Sequence, residues 1–244
     1  MIKKTFTLLS GLLLVVLIGY SFKPSSTIQS DIKNDSVMLS ENVNVIIPDT
    51  DSILYTELNL QKQIPYPAFK QALAGFKQIS GKKKDLLTFI DFTKASTEER
   101  FFVIDVAKRK ILYNTVVSHG RNSGLKYATK FSNKNGSFQS SLGFYLTGGT
   151  YVGKNGYSLL LDGLEKGIND RARERAIVVH GAPYANPSVI KASGRLGRSL
   201  GCPALPQSVS KEIIDVIKNG SVLYIYANDA DYQRNSPIIK SAHA

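Results

Sequence analysis

From Leu86 to Ala227 the sequence breaks into short runs rich in Phe, Ile, Val, Leu and Thr, separated by polar turns such as Ala107-Lys108-Arg109-Lys110. Leu86 to Phe92, Phe101 to Val106, Ile111 to Val117, Gly143 to Leu146, Ser158 to Leu161, Ala176 to His180 and Ser221 to Ala227 have the length and composition of strands. Antiparallel hairpins are the economical way to join them. The expected fold is mainly β, a sandwich or a barrel-like sheet, with one or two short helices. The clearer helix carries Val209, Ile213, Val216 and Ile217 as an apolar stripe, Ser208 or Ser210 as its cap, Glu212 in its first turn and Asn219-Gly220 as its stop. The other follows Pro65 and Pro67, where Phe69, Leu73 and Phe76 recur at helical spacing.

These elements occupy only part of the 244 residues. Lys3 and Lys4 precede an apolar run from Leu8 to Ile18, and Gly19-Tyr20-Ser21 offers small residues to a signal peptidase. The stretch from Phe6 to Phe22 is marginal for a spanning helix, which needs about 20 apolar residues. Residues 1–22 therefore read as a signal peptide or a membrane anchor, cleavage being favoured. Either way the expected location is outside the cytoplasm, in the periplasm or cell envelope, with the exported chain free or attached through residues 5–22. Residues 23–60 read as a linker, 61–85 as a helical lead-in, 86–228 as the folded domain and 229–244 as a loose tail. The linker holds two lysines against six acidic residues, so the chain from Gln61 onward carries 27 basic against 13 acidic residues. The folded part is the basic part, which suits an anionic partner such as nucleic acid, lipid or wall polymer.

A single cysteine, Cys202, leaves an exported chain with no internal disulfide and one oxidisable thiol. As a bare reading it is a buried small hydrophobe. Its context argues otherwise: Ile177-Val178-Val179-His180-Gly181 is a strand ending in histidine, and Gly194-Arg195-Leu196-Gly197-Arg198-Ser199-Leu200-Gly201-Cys202-Pro203 is a glycine-rich loop ending in the thiol. A histidine held at a strand end can serve as base to a cysteine nucleophile. Glycine before the nucleophile lets the Gly201 and Cys202 amides approach a developing oxyanion. Arg195 and Arg198 are candidates to depress the thiol pKa or to bind a substrate carboxylate. This is a candidate Cys/His acyl-transfer site.

Val179-His180-Gly181 and Ser199-Leu200-Gly201-Cys202 resemble the His-Gly and Ser-His-Gly-Cys signatures of the L,D-transpeptidase (YkuD-type) catalytic domain. Ser140-Ser141-Leu142-Gly143-Phe144-Tyr145 is similar to that family's Thr-Pro-x-Gly-x-aromatic segment, and the resemblance runs from about Leu86 to Ala227. It implies a β-rich domain in which Cys202 attacks the L,D-peptide bond of a peptidoglycan stem tetrapeptide and releases the terminal D-alanine, with His180 as general base. It further implies that the Gly181 carbonyl orients the imidazole, that Gly201 and Cys202 build the oxyanion hole in a loop shaped by Ser199, and that no metal or organic cofactor takes part. The acyl group then passes to an amine, giving transpeptidation, or to water, giving carboxypeptidase trimming. Arg198, Arg195, Tyr145 and His119 are the substrate-binding candidates.

The sequence departs from the pattern at three places. Leu200 replaces the histidine of Ser-His-Gly-Cys, Ser141 replaces the proline, and Pro203-Ala204-Leu205 stands where an arginine follows the cysteine. Blander readings accompany several residues. His119 reads first as an exposed loop histidine after a strand, Tyr145 as core, and Arg171, Arg173 and Arg175 as a solvated face. Three scattered histidines and one cysteine give no zinc spacing. Export and the lack of a recognition helix or ribonucleoprotein signature speak against nucleic acid. A non-catalytic wall-binding domain on the same fold and a sortase-like transpeptidase stay open as alternatives.

Overall fold

The computed structural model describes residues 49–242. The signal or anchor segment, most of the linker and His243 lie outside them. Among the described residues no helix is long and apolar enough to cross a membrane.

Eight strands form one mixed sheet: β1 (Leu86–Asp91), β2 (Phe101–Asp105), β3 (Lys110–Thr115), β4 (Gly143–Gly153), β5 (Gly156–Gly163), β6 (Val178–Gly181), β7 (Ala204–Leu205) and β8 (Val222–Tyr226). Their order is β3-β2-β1-β8-β4-β5-β6-β7. Just beyond β3, Ser118 bridges to Ala204 of β7 and Gly120 bridges to Ser199, so the two ends of the sheet meet and the barrel nearly closes. Two pairings depart from the hairpin expectation: β1 with β8 and β6 with β7 run parallel. Parallel neighbours need a crossover, and the one between β6 and β7 carries the 3₁₀ turn Pro183–Ala185 and helix α3 (Pro187–Ser193). β7 is only two residues long, too short to register as a strand in the sequence.

Helices pack around the sheet. α1 (Thr50–Glu57) lies within the segment read as linker, and Asp49 caps it by accepting from the Ser52 amide. α2 (Tyr66–Gln78) takes Pro67 in its first turn and buries Phe69, Leu73 and Phe76. α4 (Gln207–Ile217) buries Ser210, Ile213, Ile214 and Ile217, with Val209 and Val216 at the margin. Its start differs from expectation: neither Ser208 nor Ser210 caps it, and the Gln207 amide donates to Asn186 Oδ1 at 2.9 Å across the crossover. The tail is not loose. It forms α5 (Ala230–Asn235) and α6 (Pro237–Ala242), with Tyr232 and Ile239 buried. The reason is Glu165, a buried carboxylate that accepts from the Phe144 amide at 2.7 Å and from the hydroxyls of Tyr232 and Ser236. A buried carboxylate needs such donors, and the tail supplies two of them.

The aromatic centre of the core is Phe144 stacked on Tyr224 at 4.0 Å between ring centroids. α2 approaches it so closely that a Cβ on Gly75 would collide with the Phe144 ring. Alanine improves helix propensity by about 1 kcal/mol, whereas overpacking against a ring that cannot move costs about 1–3 kcal/mol. Gly75→Ala is therefore expected to lower the melting temperature and net stability, as read by thermal denaturation; a raised melting temperature contradicts this packing.

Candidate active site

β6 ends at His180 and Gly181 because α4 lies directly beneath them. A Cβ on Gly181 would collide with Ser210 Oγ, so only glycine lets the strand run this close to the helix. In the parallel pairing His180 stands opposite Ala204 and Gly181 opposite Leu205. Cys202 lies two residues before Ala204, outside the paired strand, and its sulfur is turned onto the backbone of the segment that enters β6. The Cys202 Sγ lies 3.6 Å from the Ala176 carbonyl and receives a backbone hydrogen bond from Val178.

Both groups are buried, His180 at 3% exposure and Cys202 at 7%. His180 Nδ1 lies 3.0 Å from the Gly181 carbonyl oxygen. A carbonyl only accepts, so this bond places the proton on Nδ1 and leaves the Nε2 lone pair free. Burial holds the imidazole pKa down against that bond, so the ring is neutral at neutral pH. Burial also pushes the Cys202 thiol up, with the Val178 backbone and the Arg175 charge pulling the other way. The thiol and the imidazole are thus both neutral at rest. This corrects the expectation of a thiol pKa depressed by Arg195 or Arg198.

The Cys202 loop is fixed from both sides. Ser199 Oγ donates to the Cys202 carbonyl at 2.6 Å and accepts from the Gly201 amide at 3.0 Å. Ser140 Oγ donates to the Gly201 carbonyl at 3.0 Å and accepts from the Gly120 amide. Gly201 takes φ +127°, where a side chain would also strike the Gln139 carbonyl. Because Ser199 already holds the Gly201 amide, that amide is not a free oxyanion donor. The Cys202 amide makes no hydrogen bond among the described residues and is the one available.

The other sequence candidates scatter. Tyr145 is fully buried, its hydroxyl donating to the Ser141 carbonyl at 3.0 Å, and belongs to the core. Arg198 pins the neighbouring loop by donating to the carbonyls of Arg121 and Gly124, and Arg195 donates to the carbonyl of Leu196. Leu200, at the position of the family histidine, is exposed. His119 is fully buried rather than exposed. Arg100 Nη2 donates to its Nδ1 at 2.8 Å, and the same guanidinium bonds the Val117 carbonyl beneath the Phe92 ring.

Two residues at the site carry no clear sequence signal. Tyr184, in the 3₁₀ turn, sets its ring edge-on to His180 at 6.5 Å between centroids, and burial with the nearby Cys202 pushes its hydroxyl up to about 12. Arg175 is no solvated residue: half-buried, it donates to four acceptors of the 132–141 segment. Its one hint in the sequence is its place at the head of the apolar run leading to His180. Arg171 and Arg173 do face solvent, paired with Glu174 and Asp162. A cavity of about 430 Å³ between Phe131, Leu142, Ile168 and Tyr232 takes no wall from Cys202 or His180.

The profile of the L,D-transpeptidase catalytic domain family matches residues 60–226, well over half of the sequence and reaching earlier than the motif resemblance. The chain belongs to this family. A search of the curated proteins gives no match. Among solved structures it is similar to an L,D-transpeptidase from Mycobacterium smegmatis at 14% identity, covering 59% of each chain with a TM-score of 0.37. It is similar to the helical cell shape determining protein Pgp2 from Campylobacter jejuni at 16% identity, covering 71% of this chain and 60% of that one, TM-score 0.41. A third is an L,D-transpeptidase from Stackebrandtia nassauensis at 15% identity, covering 74% and 77%, TM-score 0.36. The chain thus spans about three fifths of the length of the first of these.

His119 generates a stability prediction. Burial, together with the Arg100 charge, holds its pKa at about 4 against 6.5 when exposed. Folding therefore favours the neutral ring, and the contribution is complete above pH 6.5 and lost as pH falls from 6.5 towards 4, by about 3 kcal/mol. His119→Asn, which keeps an acceptor for Arg100 without a titrating ring, is expected to lose correspondingly less stability over that window in chemical denaturation. An unchanged slope contradicts this environment for His119.

Proposed function

We propose that the protein is an exported L,D-transpeptidase that forms a thioester between Cys202 and a peptidoglycan stem peptide, with His180 as base. The observation that supports this reading is that β6 serves both groups: the only cysteine rests its sulfur on the Ala176 carbonyl and the Val178 backbone, and the strand ends at a neutral His180 with its proton held on Nδ1. His180 Nε2 takes the thiol proton as sulfur attacks the carbonyl between the third and fourth stem residues. The C–N bond breaks and D-alanine leaves with that proton. The Cys202 amide donates to the oxyanion. An acceptor amine then attacks the thioester, its proton passes through His180, and the C–S bond breaks to restore the thiol. Water in place of the amine gives carboxypeptidase trimming. Membership of the family supports this chemistry, and the apolar run of residues 8–18 supports export.

Cys202→Ala is expected to abolish D-alanine release from a disaccharide-tetrapeptide, and His180→Ala to lower kcat/KM by about 10²- to 10⁴-fold with the fold intact. Because burial depresses the His180 pKa, the acid limb of kcat/KM falls below pH 6.5. Undiminished turnover in Cys202→Ala, or an acid limb centred well above pH 7, refutes the mechanism.

A further inference from the structure

We propose that Arg175 is a positioning residue of this site: it braces the 132–141 segment on which the Gly201 peptide rests, and its charge lies beside that peptide as Cys202 loses its proton. The inference rests on the reading of Cys202 as nucleophile and adds the group that sets its proton affinity.

The guanidinium sits at the junction of three segments. Nη1 donates to the Ser132 carbonyl at 2.7 Å and to Ser141 Oγ at 2.5 Å, while Nη2 donates to the Gln139 carbonyl at 2.7 Å and Ser137 Oγ at 3.2 Å. The Gln139 carbonyl lies only 2.8 Å, and Arg175 Nη2 only 3.5 Å, from where a Cβ on Gly201 would stand. The cation therefore rests against the peptide immediately before the nucleophile. All four acceptors are neutral, and among the described residues Arg175 enters no ion pair, unlike Arg171 and Arg173. A half-buried charge without a counterion keeps a strong field over a few ångströms, because little water screens it. Arginine stays charged through such burial.

The alternatives are spoken for. Arg195 and Arg198 are bound to carbonyls of Leu196, Arg121 and Gly124, whereas Arg175 holds the Gln139 carbonyl that packs against Gly201. The need is real, since a thiolate forming in a buried site loses its hydration and requires a compensating charge. Arg175 donates no proton in the reaction and touches neither sulfur nor substrate. Its charge favours the proton's movement from Cys202 to His180, and its hydrogen bonds to Gln139 and Ser141 hold in place Ser140, whose hydroxyl donates to the Gly201 carbonyl.

The test is the pH dependence of Cys202 alkylation by iodoacetamide in the full chain, read by mass spectrometry. One cysteine makes the readout unambiguous. Arg175→Gln, which keeps donors and loses charge, is expected to raise the midpoint and to cut the alkylation rate at pH 7 about tenfold for every pH unit by which the midpoint rises. Arg175→Lys restores most of the rate. Ser141→Ala, which removes a loop acceptor and keeps the charge, leaves the midpoint in place. A wild-type midpoint in Arg175→Gln, or an equal rise in Ser141→Ala, overturns the proposal. If Arg175→Gln does not fold, the same contrast is read from the other two variants: a midpoint raised in either one overturns it. Alkylation needs no wall substrate, so this failure is distinguishable from failure of the acyl-transfer reading, which turnover by Cys202→Ala tests.

Discussion

The sheet closes on itself through a seam whose last strand is two residues long, and the geometry of the site hangs on that seam. Ser118 N donates to the Ala204 carbonyl, Ser199 N to that of His119, and Arg121 N to that of Ser199. These bonds satisfy edge groups that an open sheet would expose. They also seize Ser199, whose hydroxyl in turn fixes Gly201 and Cys202. The opposite lip is braced by Arg100, fully buried, whose guanidinium holds the carbonyls of Lys94 and Val117 and the His119 ring. The cysteine is thus carried by the closure of the sheet itself rather than by a free loop.

Burial then decides the protonation states. A thiol and an imidazole removed from water both favour their neutral forms. In the proposed mechanism the proton therefore passes during attack, with no resting thiolate–imidazolium ion pair. The neutral state protects a lone thiol from oxidation, since the thiolate is the oxidisable species. The cost is a charge that must form where water is scarce, which is where the nearest uncompensated cation matters.

Strand identity is legible in the sequence because it depends on local composition: the runs at Leu86, Phe101, Ile111 and Val222 all form strands. The helix stripe at Ile213 and Ile217 is legible by its period. What escapes is what long-range contacts decide. β7 exists only because His180 and Gly181 pair with it, and the tail folds because a distant Glu165 needs donors. The capping of α4 comes from Asn186, twenty-one residues upstream of Gln207. At the candidate site, motif and spacing put forward Cys202, His180 and Ser199, and the structure adds the bonds of Ser199 to Gly201 and Cys202. Arg195, Arg198, His119 and Tyr145 cannot be sorted from Arg175, because a charge or ring in sequence carries no sign of which carbonyl will claim it.

Acylation of Cys202 by a wall stem peptide is tested most directly by intact-mass spectrometry. The protein is mixed with a disaccharide-tetrapeptide at low acceptor concentration, quenched in acid and mapped by peptide digestion. The expected result is a mass gain equal to the disaccharide-tripeptide acyl group, located on the peptide containing Cys202 and removed by hydroxylamine. Release of D-alanine with no adduct on that peptide, or an adduct on another residue, contradicts it.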